Sequence, residues 1–376
     1  MEPSTALRDI LPTALMPQPV GSSTSTASRD EAQIRDWREH YRQYLVANKI
    51  PAAQAADLAE RVAYRPDLYP AIATNAAVPS TPSSPAARRP SLLRAAKLIA
   101  AGAAIDSTPP TGDDMAFTHA VLCQVGLPRT RVEGRDFRRQ SGTMWINLQA
   151  GLLDEGYGPV EQPIPYGPMP RLALAWISTL AKRHKSREVA IGETAADFLR
   201  MLGMDVQGGR YATLRKQMHA LAACRLQLGH NGRTFNGQAV EQFDAWTPTN
   251  NDRQRSIWPG VVVLSEAYYK ELVDHGVPLD NRALTALRGS SLALDIYTWL
   301  AHRLHRIPGR PALLHWKAIR EQFAQEYQGK DADKDFRKSF LHGLQAARTV
   351  YPKAQVEAVR GGLLLRQSPP PIPYRA

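Results

Sequence analysis

Residues 187–243 read REVAIGETAADFLRMLGMDVQGGRYATLRKQMHALAACRLQLGHNGRTFNGQAVEQF, and the order of elements in this stretch decides the fold. Arg187 to Ile191 is a short strand pattern. Thr194 to Leu202 is a helix, with Thr194 as N-cap, Asp197 three positions on and Gly203 where a C′ residue belongs. The turn Met204–Gly209 is short, so the next helix, Gly209 to Cys224, must cross the first steeply, as in a helix-turn-helix. A two-stranded hairpin over 225–243 completes the element order of a winged helix. At about 100° per residue, Tyr211, Leu214, Met218, Leu221 and Ala222 share one stripe of the second helix. Ala212, Thr213, Lys216, His219 and Ala220 lie opposite, with Arg210 and Arg215 at the borders. Small side chains beside cations and hydroxyls let a backbone approach a DNA groove, where cations meet phosphates and short side chains meet base edges. The plain alternative is a solvated helix face.

Outward from this stretch, composition sets the bounds. The chain has 376 residues, enough for two or three domains, and 43% hydrophobic content fills real cores. Its net charge is +12, which points to an acidic partner. Basic and acidic side chains balance within residues 1–115, so the excess falls in 116–376. That balance predicts a protein partner or self-association for the N-terminal region, and nucleic acid for the rest. Two isolated cysteines, Cys123 and Cys224, form no disulfide framework or zinc motif and fit a reducing cytoplasm. No apolar run reaches the roughly 20 residues of a membrane span, and no signal peptide opens the chain. The expectation is a soluble cytoplasmic protein.

Along the chain, residues 1–30 are rich in Ser, Thr and Pro and are expected to be a disordered tail. Residues 31–69 read as a small helical hairpin built on Trp37, Tyr41, Tyr44, Ala55 and Leu58. Residues 70–115 read as a linker with one helix, Ser91 to Ala104. A first winged-helix domain is expected over 116–255 and a second over 256–376, so the fold class is α+β. In the first, Phe117 to Val125 and Gly142 to Leu152 look like strands around a basic loop, Arg129 to Arg139, that either touches phosphate or is merely solvated. An apolar helix with Leu172, Trp176 and Leu180 precedes the opening stretch. The second domain repeats the plan with a helix from Ser290, a strand Ala312 to Leu314, helices Trp316 to Phe323 and Lys334 to Val350, and a hairpin Gln355 to Arg366. Trp176 and Trp299 lie 123 positions apart, and Tyr211 and Phe336 lie 125 apart, as two copies of one module would place them. Phe336, Phe340, Leu344 and Ala347 share one stripe of the last long helix. Lys334, Lys338, His342, Gln345 and Thr349 lie opposite, with Arg337 and Arg348 at the margins.

Pro165-Tyr166-Gly167 with Pro170-Arg171 and the following helix resembles a signature of plasmid-encoded replication initiators of the RepA type. So do Tyr351-Pro352, Gly362-Leu363-Leu364-Leu365 and the run Ser368 to Pro373, and together the resemblance covers 116–374. Residues 37–65 resemble, more faintly, the N-terminal segment of TrfA-type initiators. The resemblance implies binding to directly repeated origin sites, or iterons, in double-stranded DNA. It further implies opening of an AT-rich region, recruitment of host helicase and initiator proteins, and copy control through a homodimer in equilibrium with monomer.

Candidate DNA contacts are therefore Arg210, Thr213, Arg215, Lys216, His219, Arg225 and Arg233 in the first module, and Lys334, Arg337, Lys338, His342, Arg348 and Arg360 in the second. Strand Ile257 to Leu264 and helix Arg282 to Gly289 are candidates for the dimer contact. No phosphate-cradling Gly-x-x-x-x-Gly-Lys-Ser/Thr loop is present, which argues against ATP-driven unwinding. His302, His305 and His315 could share a metal, but a solvated or phosphate-facing pair suits their spacing better. Asp331, Asp333 and Asp335 suit a helix N-terminus better than a magnesium site. The expectation is no enzyme, no cofactor and no metal. A transcriptional repressor of the same fold and a nicking enzyme are the rival classes.

Overall fold

The computed structural model describes residues 31, 34–39, 41–43, 46, 52–61, 85–156, 158–244 and 258–373. It divides into two compact units, 1–80 and 81–376. In the first unit, residues 34–39 and 41–43 are helical, followed by α1 (Ala52–Arg61). The rings of Trp37 and Tyr41 stack with centroids 5.5 Å apart, one helical turn apart in sequence. The expected tail over 1–30 and the Pro-rich run up to residue 84 lie outside the described residues.

The second unit opens with α2 (Pro85–Ser107), longer at its start than the helix expected from Ser91. Next come β1 (Met115–His119), α3 (Ala120–Val125), β2 (Asp136–Ser141), β3 (Met144–Gln149) and a small hairpin of β4 (Leu152–Asp154) and β5 (Pro159–Glu161). Two of these differ from expectation. Strand Phe117 to Val125 stops at His119, whose Nδ1 accepts from the Val121 amide and caps α3. The basic loop is half strand, because Arg138 and Arg139 pair with Asn147 and Ile146 in β2–β3.

Then follow α4 (Pro168–His184), β6 (Glu188–Ala190), α5 (Ala195–Met201), α6 (Gly208–Ala223), β7 (Arg225–His230), β8 (Arg233–Gln238), β9 (Val240–Phe243) and β10 (Val261–Leu264). The Thr194 hydroxyl caps α5 as expected, accepting from the Asp197 amide at 3.1 Å, and Gly203 closes it at φ +66. The three strands β6, β10 and β9 form an antiparallel sheet in that order. Strand 257–264 is thus no dimer edge: β10 is the central strand of the first module, paired on both sides. The first module consequently runs past residue 255. The β7–β8 hairpin is not the module's wing either, since it joins β2 and β3 in a four-stranded sheet of order β2-β3-β7-β8.

After α7 (Glu266–His275), β11 (Gly276–Asp280) pairs with β1. Helix α8 (Asn281–Leu287) buries Ala283, Leu284 and Leu287 within this unit and packs against α2, so that apolar face is covered without a second chain. The last module comprises α9 (Ser291–Arg303), a 3-10 turn to Arg306, β12 (Ala312–His315), α10 (Trp316–Phe323), α11 (Ala332–Val350), β13 (Val356–Val359) and β14 (Gly362–Leu365). Its sheet has the order β12-β14-β13, the same first–last–middle order as β6-β10-β9. Gly362 is required where β14 crosses β12, because a Cβ there would lie 2.0 Å from the Leu314 carbonyl oxygen. Trp299, Phe323, Phe336 and Phe340 fill this module's centre with ring centroids 5.3–5.5 Å apart.

Both halves thus run helix, strand, helix, helix, strand, strand. The first half inserts β7–β8 before its last two strands. That insertion explains why the offset of about 124 holds through the helices and fails after them.

Candidate nucleic-acid interface

Helix α6 is divided by burial along its length as well as around it. Its first half is open: Gly208, Gly209, Arg210, Ala212, Thr213 and Lys216 are exposed, and Arg215 is half-buried. Its second half, from Gln217 to Ala223, is buried on every side against α4, β4 and β9. The orphan amides at the open end and the helix dipole add positive potential to Arg210 and Lys216. Lys216 Nζ sits 5.8 Å from the centre of the Tyr166 ring, and the Thr213 hydroxyl donates to the Gly209 carbonyl.

His219 is corrected by this geometry. It is 2% exposed, its Nδ1 is 3.3 Å from Glu155 Oε1, and its ring meets the edge of Phe243. Burial lowers its pKa against the opposing pull of Glu155, and the ring lies at the floor of the surface rather than presented from it. The β7–β8 cations are occupied as well. Arg225 donates to Asn236 Oδ1 at 3.0 Å, and Arg233 pairs with Glu271 at 2.5 Å. Of the first module's candidates, the open end of α6 keeps Arg210, Thr213 and Lys216, with Arg215 beside Glu155.

Helix α11 keeps its polar stripe open over most of its length. Lys334, Arg337, Lys338, His342 and Gln345 are exposed, whereas Arg348 is half-buried and Thr349 is buried. Thr349 fails as a surface residue because Gly102 of α2 sits on it; a Cβ on Gly102 would lie 2.2 Å from the Thr349 carbonyl oxygen. Arg337 stacks over the Trp316 ring at 4.8 Å, which fixes its stem and leaves its head at the rim. Arg360 is exposed in the turn between β13 and β14. Asp333 pairs with Arg320 at 2.5 Å, consistent with an acidic first helical turn.

A second cluster was not foreseen. Arg129, Arg139 and Arg171 surround Asp295 and Glu326, all five side chains nearly buried. Arg171 grips Asp295 with two bonds of 2.7 and 2.9 Å and donates to the carbonyls of Pro128, Gly167 and Leu127. Arg139 reaches Glu326 at 2.5 Å, and Arg129 reaches Glu326 and, at 3.4 Å, Asp295. Burial would raise the Glu326 carboxyl, but Arg129 and Arg139 outweigh it and hold it low. Burial and the neighbouring Arg129 charge push Arg139 down to about 10, so it stays charged at neutral pH. The basic segment therefore ties β2 and α4 of the first half to α9 and Glu326 of the second; Arg129 and Arg139 are spent on these buried carboxylates, and Arg135 pairs with Glu161 at 3.3 Å on the surface. Asp295, a lone carboxylate inside the apolar run SLALDIYTWL, was the signal available in the sequence.

The histidines near α9 are structural. His302 is buried, with Nε2 against the Arg306 guanidinium and Nδ1 2.9 Å from the side-chain amide nitrogen of Gln124. Among the described residues no cluster of three or more His, Cys, Asp or Glu is arranged to hold a metal ion. Burial pushes His302 down to about 3, with help from Arg306, and His119 down to about 4. Both folded values lie below the unfolded value near 6.5, so the unfolded chain takes up protons first as pH falls. The stability these rings contribute is complete above about pH 6.5 and is lost toward pH 4. Unfolding free energies from urea titrations at pH 7.5 and pH 5 should differ by on the order of 1–2 kcal/mol per ring. His302→Gln should flatten that dependence, and an unchanged slope would count against the neutral buried ring.

No curated protein matches the chain. Two crystal structures of RctB, each of its domains 2 and 3, are similar at 12% identity. The first, a selenomethionine derivative, has a TM-score of 0.43 and covers 66% of this chain and 98% of that one. The second has a TM-score of 0.39 and covers 65% and 94%. Residues 164–316 match the family described as plasmid encoded RepA protein, a span that opens just before the Pro165–Arg171 motif and ends at the first residue of α10. Among helices of the described residues, none is long and apolar enough to cross a membrane. By that match, residues 164–316 of this chain are similar to plasmid encoded RepA protein.

Proposed function

We propose that the protein is a plasmid replication initiator that binds iteron repeats at an origin in double-stranded DNA through two winged-helix modules. It then opens the neighbouring duplex and hands it to the host helicase and initiator, without catalysing a reaction itself. One observation carries this reading: two helices with open cationic faces, α6 and α11, occupy the same place in duplicate strand–helix–helix–strand–strand scaffolds. The RepA match over the first of them adds the plasmid context.

Each second helix enters a major groove, as in helix-turn-helix proteins, where the N-terminal residues of the recognition helix reach base edges. The exposure of α6 at its first half only fits that geometry. Lys216, Thr213, Lys334, Lys338 and His342 face base edges or phosphates, and Arg210, Arg337 and Arg360 hold phosphates. The buried arginine–carboxylate cluster fixes the spacing of the two helices, so that both meet one duplex.

Footprinting on the DNA flanking the protein's own gene tests this. Paired protections recurring over direct repeats are expected, with the two patches of each pair about one helical turn, ~34 Å, apart. Protection of a lone inverted repeat would assign a repressor instead, and magnesium-dependent nicks in supercoiled DNA would assign an enzyme.

A further inference from the structure

We infer that α2, which the sequence places in a charge-balanced N-terminal region, is a third DNA-contacting element that holds the phosphate backbone between the two recognition helices. This rests on the DNA-binding reading above and adds to it a surface outside both modules.

Helix α2 packs against α11 and α8. Its C-terminal half is seated on the last turn of α11 through Gly102 and Thr349. Two turns earlier it lines an open groove of about 690 Å³ with α8 and the turn leading into α6. Arg94 and Lys97 project into this groove from α2, Arg210 from the first turn of α6, and Arg288 from the end of α8; Asp205 is the one carboxylate lining it. Arg282 also lines it but is committed to Asp280 at 2.7 Å. Among the described residues, Arg94, Lys97 and Arg210 have no ion-pair partner. With Arg288, which donates to the Thr285 carbonyl but pairs with no carboxylate, four cations share one open groove with a single acid and repel one another in the free protein, and a polyanion relieves that repulsion.

A nucleic-acid backbone fits better than an acidic protein segment because the groove is continuous with the open end of α6. Arg210 belongs to both, so a strand whose groove α6 enters runs on past Lys97 and Arg94. Helix α2 has 23 residues and is about 34 Å long, close to one turn of B-DNA. It meets the α6 side of the site at Arg94 and Lys97, and the last turn of α11 at Gly102, about 8 Å further along the helix. The charge balance of residues 1–115 concealed this, because within α2 the lone acid, Asp106, stands in the last turn, away from Arg94 and Lys97, and the other acidic side chains lie outside the helix.

The test uses the full chain and a mixed-sequence duplex of about 40 base pairs, read by fluorescence anisotropy across a salt series. Each phosphate contact adds about 0.9 to the slope of log affinity against log salt. The double variant R94A/K97A is expected to lower that slope by about 1.8, and R94K/K97R to keep it. A slope unchanged in R94A/K97A overturns the proposal if Lys334→Ala with Lys338→Ala does lower it. If neither pair changes the slope, the DNA-binding reading itself has failed.

A second measurement does not depend on affinity. Cys123 and Cys224 are buried and their thiols are pushed up by burial, so Lys97→Cys can be labelled selectively with an iron chelate. Cleavage of the duplex between the α6 and α11 footprints is expected. Cleavage absent there while both footprints persist overturns the assignment.

Discussion

Asp295→Ala is expected to destabilise the 81–376 unit by about 3–5 kcal/mol, the cost of removing one partner from a buried ion pair. The size follows from what is left behind. Arg171 and Arg129 are 10% and 7% exposed and would lose their shared acceptor, while Arg139 and Arg129 would press on Glu326 alone. Three cations would then face one carboxylate in a nearly dry site. Asp295→Asn keeps an acceptor of the same shape and should cost less, because one of Arg171's two bonds survives. A joint swap, Asp295→Leu with Arg171→Met, removes both charges, which is often close to neutral elsewhere. Here it should recover only in part, since Arg171 also satisfies the carbonyls of Leu127, Pro128 and Gly167. Urea unfolding of the three variants measures the series. A loss below about 1 kcal/mol for Asp295→Ala would mean that water reaches the cluster and that it does not hold the halves together.

The same cluster shows where the sequence was legible and where it was not. Local patterns carried well: Thr194 caps α5, Trp316 opens α10, and the stripe Phe336–Phe340–Leu344–Ala347 is the buried face of α11. These depend on neighbours within one or two turns, which periodicity reports directly. The repeat was legible for the same reason, through Trp176 and Trp299, although the first is half-buried and the second fully buried. Pairing between distant strands was not. The hairpin 225–238 has the alternation of a wing, and nothing in it reveals that β3, some 80 residues earlier, lies along its other side. His219 was misread because a helical wheel separates two faces but does not say whether both are covered. The hairpin of β4 and β5 brings Glu155 over the face that the wheel left polar. For Arg129 and Arg139 the sequence offered phosphate contact or plain solvation, and neither holds, because cations in sequence declare their charge and not their partner. The motif Pro165–Arg171 was legible as a signature, but its physical role appears only in three dimensions. Gly167 stands at φ +82, the Tyr166 amide donates to Gln217 of α6, and Arg171 anchors the cluster.

Stripping the open cations from both helices, with Arg210, Lys216, Lys334 and Lys338 all changed to alanine, should have the largest effect on DNA. Four phosphate contacts correspond to a slope loss of about 3.6, which at 100–200 mM salt is a fall in affinity of roughly 10³ or more. The single-module variants make the sharper experiment. When two sites on one rigid body bind one duplex, the second binds at high effective concentration, so losing either forfeits more than its own contacts. Arg210→Ala with Lys216→Ala should therefore weaken binding to a complete repeat far more than to a half-length duplex that only α11 can occupy. Equal loss on both duplexes would mean that the modules act separately and that the buried cluster does not set their spacing for DNA. His219→Ala supplies the contrast, since its ring touches Glu155 and Phe243 and no solvent. It should lower the unfolding midpoint while leaving the salt slope and the base preference of the folded protein unchanged. A blurred base position in that variant would instead place α6 in the groove along its whole length, against the burial of its second half.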